Sequence, residues 1–110
     1  MSKLILTVDD SASMRMLLKV SLTAQGYAIQ GAEDGAKGLD RMKELDPDLL
    51  ITDINMPQMD GFELIEAVRA LPEFRGTPIY VLSTEFSEEK KSRARTAGAT
   101  CWITKPFDAE

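Results

Sequence analysis

Histidine is absent from this chain of 110 residues, and cysteine occurs once, at Cys101. The first absence removes the commonest general base and a frequent transition-metal ligand, which excludes most acid–base and zinc schemes. It also means that any phosphohistidine donor belongs to another protein. The second absence excludes an internal disulfide and fits a reducing compartment. Long hydrophobic runs are missing too: Leu4-Ile5-Leu6 gives way to polar residues too soon for a signal peptide or a membrane span. A cytoplasmic protein with no membrane contact is expected. Basic charge is in deficit, with 13 Lys and Arg against 18 Asp and Glu and a net charge of −5. Direct nucleic-acid binding, which needs cations to displace counterions, is therefore not expected. Repeats, low-complexity stretches and linkers are lacking, so residues 1–110 are expected to form one domain.

What is present alternates between two patterns. Five short apolar runs occur at Leu4 to Val8, Tyr27 to Ala32, Leu49 to Thr52, Ile79 to Leu82 and Cys101 to Thr104. The first and third are nearly continuous, as in strands buried on both faces of a parallel sheet. Between the runs lie helical stripes. One joins Met14, Leu17, Leu18 and Leu22, another Leu64, Ile65, Val68 and Leu71, and a weaker one Ala36, Leu39 and Met42. Ser11 or Ser13 is expected to cap the first helix, and Gly26 to end it. From Ser87 to Ala97 the spacing still predicts a helix, capped by Ser87, but only Ala94 and Ala97 can reach a core. So small an anchor implies low local stability. Strand–helix alternation with short loops predicts a doubly wound α/β sheet.

In open parallel sheets ligands collect beyond the carboxyl ends of the strands. There the sequence places Asp9 and Asp10, then Asp53, then Ser83 and Thr84, then Lys105 and Pro106. Each has an ordinary alternative: Asp-Asp as a helix cap, Asp53 as an Asx turn, Ser83-Thr84 as a cap, Lys105-Pro106 as a loop. Unrelated caps have no reason to fall together at four strand ends. Clustered carboxylates disfavour one another's ionised forms unless a cation intervenes. Mg²⁺ meets that need with one or two carboxylates plus a phosphate. Asp10 and Asp53 are the best direct ligands, with Asp9 reaching through water. Lys105 and the Ser83 hydroxyl suit phosphoryl oxygens. With no thiol or imidazole at these strand ends, the nucleophile of such a site is a carboxylate.

Asp9-Asp10, the run from Asp53 through Ile54-Asn55-Met56-Pro57-Gln58-Met59-Asp60 to Gly61, Ser83 and Lys105-Pro106-Phe107 together resemble the signature of response-regulator receiver domains. The likeness runs from Lys3 to Phe107 and is nearest to the stand-alone chemotaxis regulators of that family. It implies a flavodoxin-like five-stranded sheet of order 2-1-3-4-5. It further implies that Asp53 is the phosphoacceptor and that Asp9, Asp10, Asp53 and the Asn55 carbonyl bind Mg²⁺. Ser83 and Lys105 would contact the phosphoryl group, with Lys105-Pro106 as a cis peptide. Trp102 stands where the family carries a switch aromatic, usually Tyr or Phe; its plainer reading is a half-buried edge-strand aromatic. Asn55 and Glu85 resemble the residues that flank the hydrolytic water. A partner histidine kinase would supply the phosphoryl group, and an output protein, such as one at the flagellar motor, would receive the signal. Lys90, Lys91, Arg93 and Arg95 form a basic cluster suited to an acidic partner, or simply a solvated helix face.

Two other function classes stand beside this switch. An aspartyl phosphohydrolase normally has a second carboxylic acid as general acid. Here the residue two beyond Asp53 is the amide Asn55, and no cap domain is present. An unphosphorylated scaffold is weakened by the full set of site residues. The resemblance also implies a fifth helix, for which Asp108 is a fitting N-cap, whereas the sequence ends at Glu110. A shortened chain is therefore expected, with a bare patch near Met16 and Val20 on the first helix, covered by self-association, element exchange or a partner.

Overall fold

The computed structural model describes residues 3–85 and 87–105. Five strands, β1 (Leu4–Val8), β2 (Ala28–Ala32), β3 (Leu49–Thr52), β4 (Ile79–Ser83) and β5 (Cys101–Thr104), alternate with four helices. These are α1 (Ala12–Ala24), α2 (Gly35–Leu45), α3 (Gly61–Arg69) and α4 (Glu88–Ala97). All strand pairs are parallel, in the order β2-β1-β3-β4-β5. The chain thus adopts the doubly wound architecture that its alternating pattern predicts. Among the described residues no helix is long and apolar enough to cross a membrane.

Side chains alternate across the sheet, and each face has its own core. Leu6, Val8, Leu50, Ile79 and Val81 pack with Met42 of α2, with Leu64, Ile65 and Val68 of α3 and with Ala94 of α4. Ile5, Ile51 and Leu82 face the other way, onto Leu18 of α1. Helix starts are set by side-chain caps. Ser11 accepts from Met14 N, Asp34 from Lys37 N and Ser87 from Lys90 N, while Asp60 and Glu63 form a reciprocal capping box. Each such cap stabilises its helix by about 1 kcal/mol.

The structure departs from the sequence pattern in four places. On α2 the buried positions are Gly35, Gly38 and Met42, and Ala36 is exposed. Gly38 sits so close to β1 that a Cβ there would lie 2.8 Å from Val8 Cγ2, so absence of a side chain, not an apolar one, makes this contact. Leu71 lies past the end of α3, leading into a short 3-10 turn at Pro72–Phe74. Tyr27 is exposed and precedes β2, which begins at Ala28. On α1, Leu17 is 43% exposed although it belongs to the expected stripe.

Met16 and Val20, 60% and 61% exposed, form with Lys19 an open patch on α1, where the bare patch is expected. A second open apolar surface is a groove of about 470 Å³ on the α1 face, lined by Ile5, Leu22, Leu49, Ile51, Tyr80 and Ile103. One helix covers this face among the described residues, against three on the other. Asp108 and the peptide joining Lys105 to Pro106 lie outside the described residues.

Candidate functional site

The parallel ladder runs one residue past several strands and thereby places the chemistry. Asp9 N donates to Ala32 O at 3.1 Å, Asp53 N to Val8 O at 2.9 Å, and Lys105 N to Ser83 O at 2.7 Å. Backbone bonds hold these three residues at one edge of the sheet. Asp9, Asp10 and Asp53 each offer a carboxylate oxygen there, and these atoms lie within 4.8 Å of one another.

Asp9 and Asp53 are buried, and Asp10 is exposed at the mouth. One oxygen of each buried carboxylate is held by a backbone donor: Asp9 Oδ1 accepts from Ser11 N at 2.9 Å and Asp53 Oδ1 from Ile54 N at 2.7 Å. The other oxygens share the Lys105 ammonium, at 3.0 Å from Asp9 Oδ2 and 3.3 Å from Asp53 Oδ2. Burial works against the charge on Lys105. The hydrogen bond to Asp9 and the nearby charges of Asp53 and Asp9 outweigh it, and the lysine pKa rises above its ordinary 10.5.

The loop after Asp53 is built to pass close. A Cβ on Gly61 would lie 2.2 Å from the Asp53 carbonyl oxygen, so only glycine lets α3 begin against the acidic residue. Gly61 N donates to Ile54 O, and Gln58 takes a left-handed conformation (φ 68°) to turn the loop back. Thr52 Oγ1 donates to the same Asp53 carbonyl at 2.8 Å. Ser83 is fully buried beside this edge, where its Oγ accepts from Glu85 N at 3.2 Å. A hydroxyl that accepts in this way retains a proton to donate.

Asn55 and Glu85 meet above the site. Asn55 Nδ2 donates to Glu85 Oε1 at 3.3 Å, and Lys90 Nζ pairs with the same oxygen at 2.9 Å. The hydrogen bond from Lys90, then that from Asn55, lower the Glu85 pKa below its ordinary 4.5. Trp102, half-buried on β5, donates from Nε1 to the Glu85 carbonyl at 3.0 Å. Glu85 therefore ties the β3–α3 loop, α4 and β5 together.

The basic cluster of α4 is largely engaged by its own neighbours. Besides Lys90, Lys91 lies 3.9 Å from Glu88, and Arg93 stacks over the Phe62 ring at 4.0 Å. Arg95 keeps an open face beside Cys101 and Trp102. Sequence reasoning had found neither the Phe62 contact nor Arg15, whose Nη1 donates to the Asp9 carbonyl. The lone Gly31 inside β2, a sign of close approach in a strand, was the available signal for the second.

The donor set is all oxygen with one ammonium beside it. Hard divalent cations are held by such carboxylates, and Mg²⁺ in particular leaves positions for a phosphate. The residues present fit that ion.

A sequence profile for the response regulator receiver domain matches residues 5–110. A chemotaxis protein CheY of Halobacterium salinarum is 43% identical over 108 residues, covering 97% of this chain and 88% of its own length. A chemotaxis protein CheY homolog of Campylobacter jejuni is 40% identical over 105 residues, covering 94% and 81%. Among solved structures, that of Vibrio cholerae chemotaxis protein CheY4 superposes with a TM-score of 0.95 at 40% identity, covering 99% of this chain and 91% of that one. A response regulator of Burkholderia multivorans, 49% identical, gives 0.81 with 99% and 87% covered.

Proposed function

Because the chain belongs to the response-regulator receiver family, we propose that it is a phosphorylation switch in which Asp53 takes a phosphoryl group from a partner histidine kinase and hands the signal to an output protein. The observation that carries this reading is the Lys105 ammonium bridging Asp9 and Asp53 beside Asp10. Asp53 Oδ2 attacks phosphorus, the bond from phosphorus to the donor nitrogen breaks, and the departing imidazole takes a proton. Lys105, released from its carboxylates, neutralises a phosphoryl oxygen, and the Ser83 hydroxyl donates to another. Asp9, Asp10, Asp53 and the Asn55 carbonyl would hold Mg²⁺, which when bound offsets charge on the transferring group.

The added charge, roughly −1.5 to −2 at neutral pH, draws Ser83 inward and away from Glu85 N. That bond and the Trp102 bond both end on Glu85, so the change reaches β5 and α4. The α4–β5 surface is the output face. The relatives named as chemotaxis proteins support a chemotactic pathway, with a flagellar-motor component among the candidate targets and the cytoplasm as the compartment. Water guided by Asn55 and Glu85 then hydrolyses the acyl phosphate and resets the switch. The test is phosphorylation by acetyl phosphate with Mg²⁺: one acid-labile phosphate on the wild type and none on Asp53→Asn. Stoichiometric phosphate on Asp53→Asn overturns the assignment.

A further inference from the structure

Building on the reading of Asp9, Asp10 and Asp53 as a cation and phosphoryl site, we propose that Arg15 is a positioning residue of that site, holding the peptide between Asp9 and Asp10 so that both carboxylates point into it. Arg15 lies in the first turns of α1, and its contact is with backbone: Nη1 donates to the Asp9 carbonyl oxygen at 2.5 Å. That carbonyl belongs to the planar, rigid peptide that joins Asp9 to Asp10. The peptide on the other side of Asp9 is pinned as well, because Asp9 N donates to Ala32 O. With both flanking planes held, the two soft dihedrals of Asp9 are fixed. The direction of its Cβ and the position of the Asp10 Cα follow from them. The bond from Ser11 N to Asp9 Oδ1 completes the hold on Asp9. Asp10 is exposed, so its aim depends on this backbone.

Strand β2 runs against the stem of Arg15. A Cβ on Gly31 would touch Arg15 Cδ at 3.4 Å and Thr7 Oγ1 at 3.5 Å, ordinary contact distances, so a larger side chain there meets the stem. Glycine weakens a strand interior and often marks the close approach of another group. Here that group is the aliphatic stem of Arg15, which lies beside Gly31 while its guanidinium reaches the residue after β1. Two depressions flank the stem, each lined by both Arg15 and Gly31.

The sign of the effect separates positioning from charge alone. A guanidinium near a cation site repels the cation, so removing its charge tightens Mg²⁺ binding if charge is all that matters. Loss of a group that orients ligands instead weakens it, typically by 10- to 100-fold. The experiment is a MgCl₂ titration of the full chain followed by Trp102 fluorescence, on wild type, Arg15→Ala, Arg15→Lys and Gly31→Val. Urea unfolding without Mg²⁺ checks that each variant folds. Arg15→Ala is expected to bind Mg²⁺ about tenfold more weakly. Arg15→Lys, which keeps a charged donor on a long stem, should recover most of the loss. Gly31→Val leaves Arg15 in place but crowds its stem, and should also weaken binding, in a strand position that favours valine. Equal or tighter Mg²⁺ binding by both Arg15→Ala and Gly31→Val overturns the proposal while leaving the site assignment intact. Failure of the wild type to bind Mg²⁺ overturns both.

Discussion

Lys105 and Asp53, 52 positions apart in sequence, meet at 3.3 Å because β3 and β5 end on the same edge of a parallel sheet. The same ammonium reaches Asp9 at 3.0 Å, so one cation is shared between two buried carboxylates. On the proposed reading, phosphorylation rearranges these contacts.

The raised pKa of Lys105 gives a pH signature. Its folded value lies above the ordinary 10.5, so its contribution to stability is full below that value and fades as pH rises through the folded pKa. Lys105→Met should lower the unfolding free energy from urea titration at pH 7 by about 1–3 kcal/mol, for leaving charged partners unsatisfied. The gap from wild type should shrink steadily above about pH 10.5. A gap independent of pH up to the folded pKa contradicts the assigned pairing.

Gly61→Ala tests the close approach of α3 to Asp53. The added Cβ meets the Asp53 carbonyl at 2.2 Å, where backbone must move. Destabilisation of about 1–3 kcal/mol is expected, as for an overpacked interior, with slower phosphorylation of whatever folds. Wild-type stability together with wild-type phosphorylation shows that the loop yields freely.

Asn55→Lys and Glu85→Arg test the path of the hydrolytic water. Glu85→Arg removes the acceptor of the Asn55 bond, Asn55→Lys replaces its donor with a longer charged one, and both crowd the approach to Asp53. The phosphoryl half-life, followed by loss of acid-labile phosphate, should lengthen by up to about a hundredfold, the scale on which misplaced reactants slow a reaction. A decay rate indifferent to both changes shows that water enters by another route.

Trp102→Phe keeps an aromatic ring and removes the donor to the Glu85 carbonyl. One net hydrogen bond of about 1 kcal/mol corresponds to roughly fivefold faster exchange of the amides it protects. The increase should appear in Glu85 and the first turn of α4, with the β1 and β3 amides unchanged. Unaltered exchange in α4 means that Trp102 does not hold this helix.

The fold was legible where periodicity and burial agree. Leu4 to Val8 and Leu49 to Thr52 read as doubly buried strands, and they form β1 and β3 at the centre of the sheet. The site residues were legible because every strand end lies on one edge, so position along the chain translates directly into proximity. Contacts made by missing or long side chains were not legible. Gly38 does the work assigned to Ala36 because a helix can approach a strand most closely where it has no Cβ. Arg93 reads as part of a basic cluster, for a partner or for solvent, yet stacks on Phe62, and Arg15, outside the apolar stripe of α1, ends on a backbone carbonyl. Long amphipathic side chains hide their destinations from any hydrophobic pattern. Leu17 matches the stripe of α1 yet is 43% exposed among the described residues.

The central claim is that Asp53, and no other carboxylate, forms the acyl phosphate. The direct measurement is to incubate the protein with acetyl phosphate and Mg²⁺, reduce the product with borohydride, and map the reduced residue by peptide mass spectrometry. Reduction converts an aspartyl phosphate to homoserine. The account predicts homoserine at position 53 alone, dependent on both Mg²⁺ and the phosphodonor. Homoserine at position 9 or 10 with Asp53 intact, or none anywhere after the wild type has taken up phosphate, would contradict it.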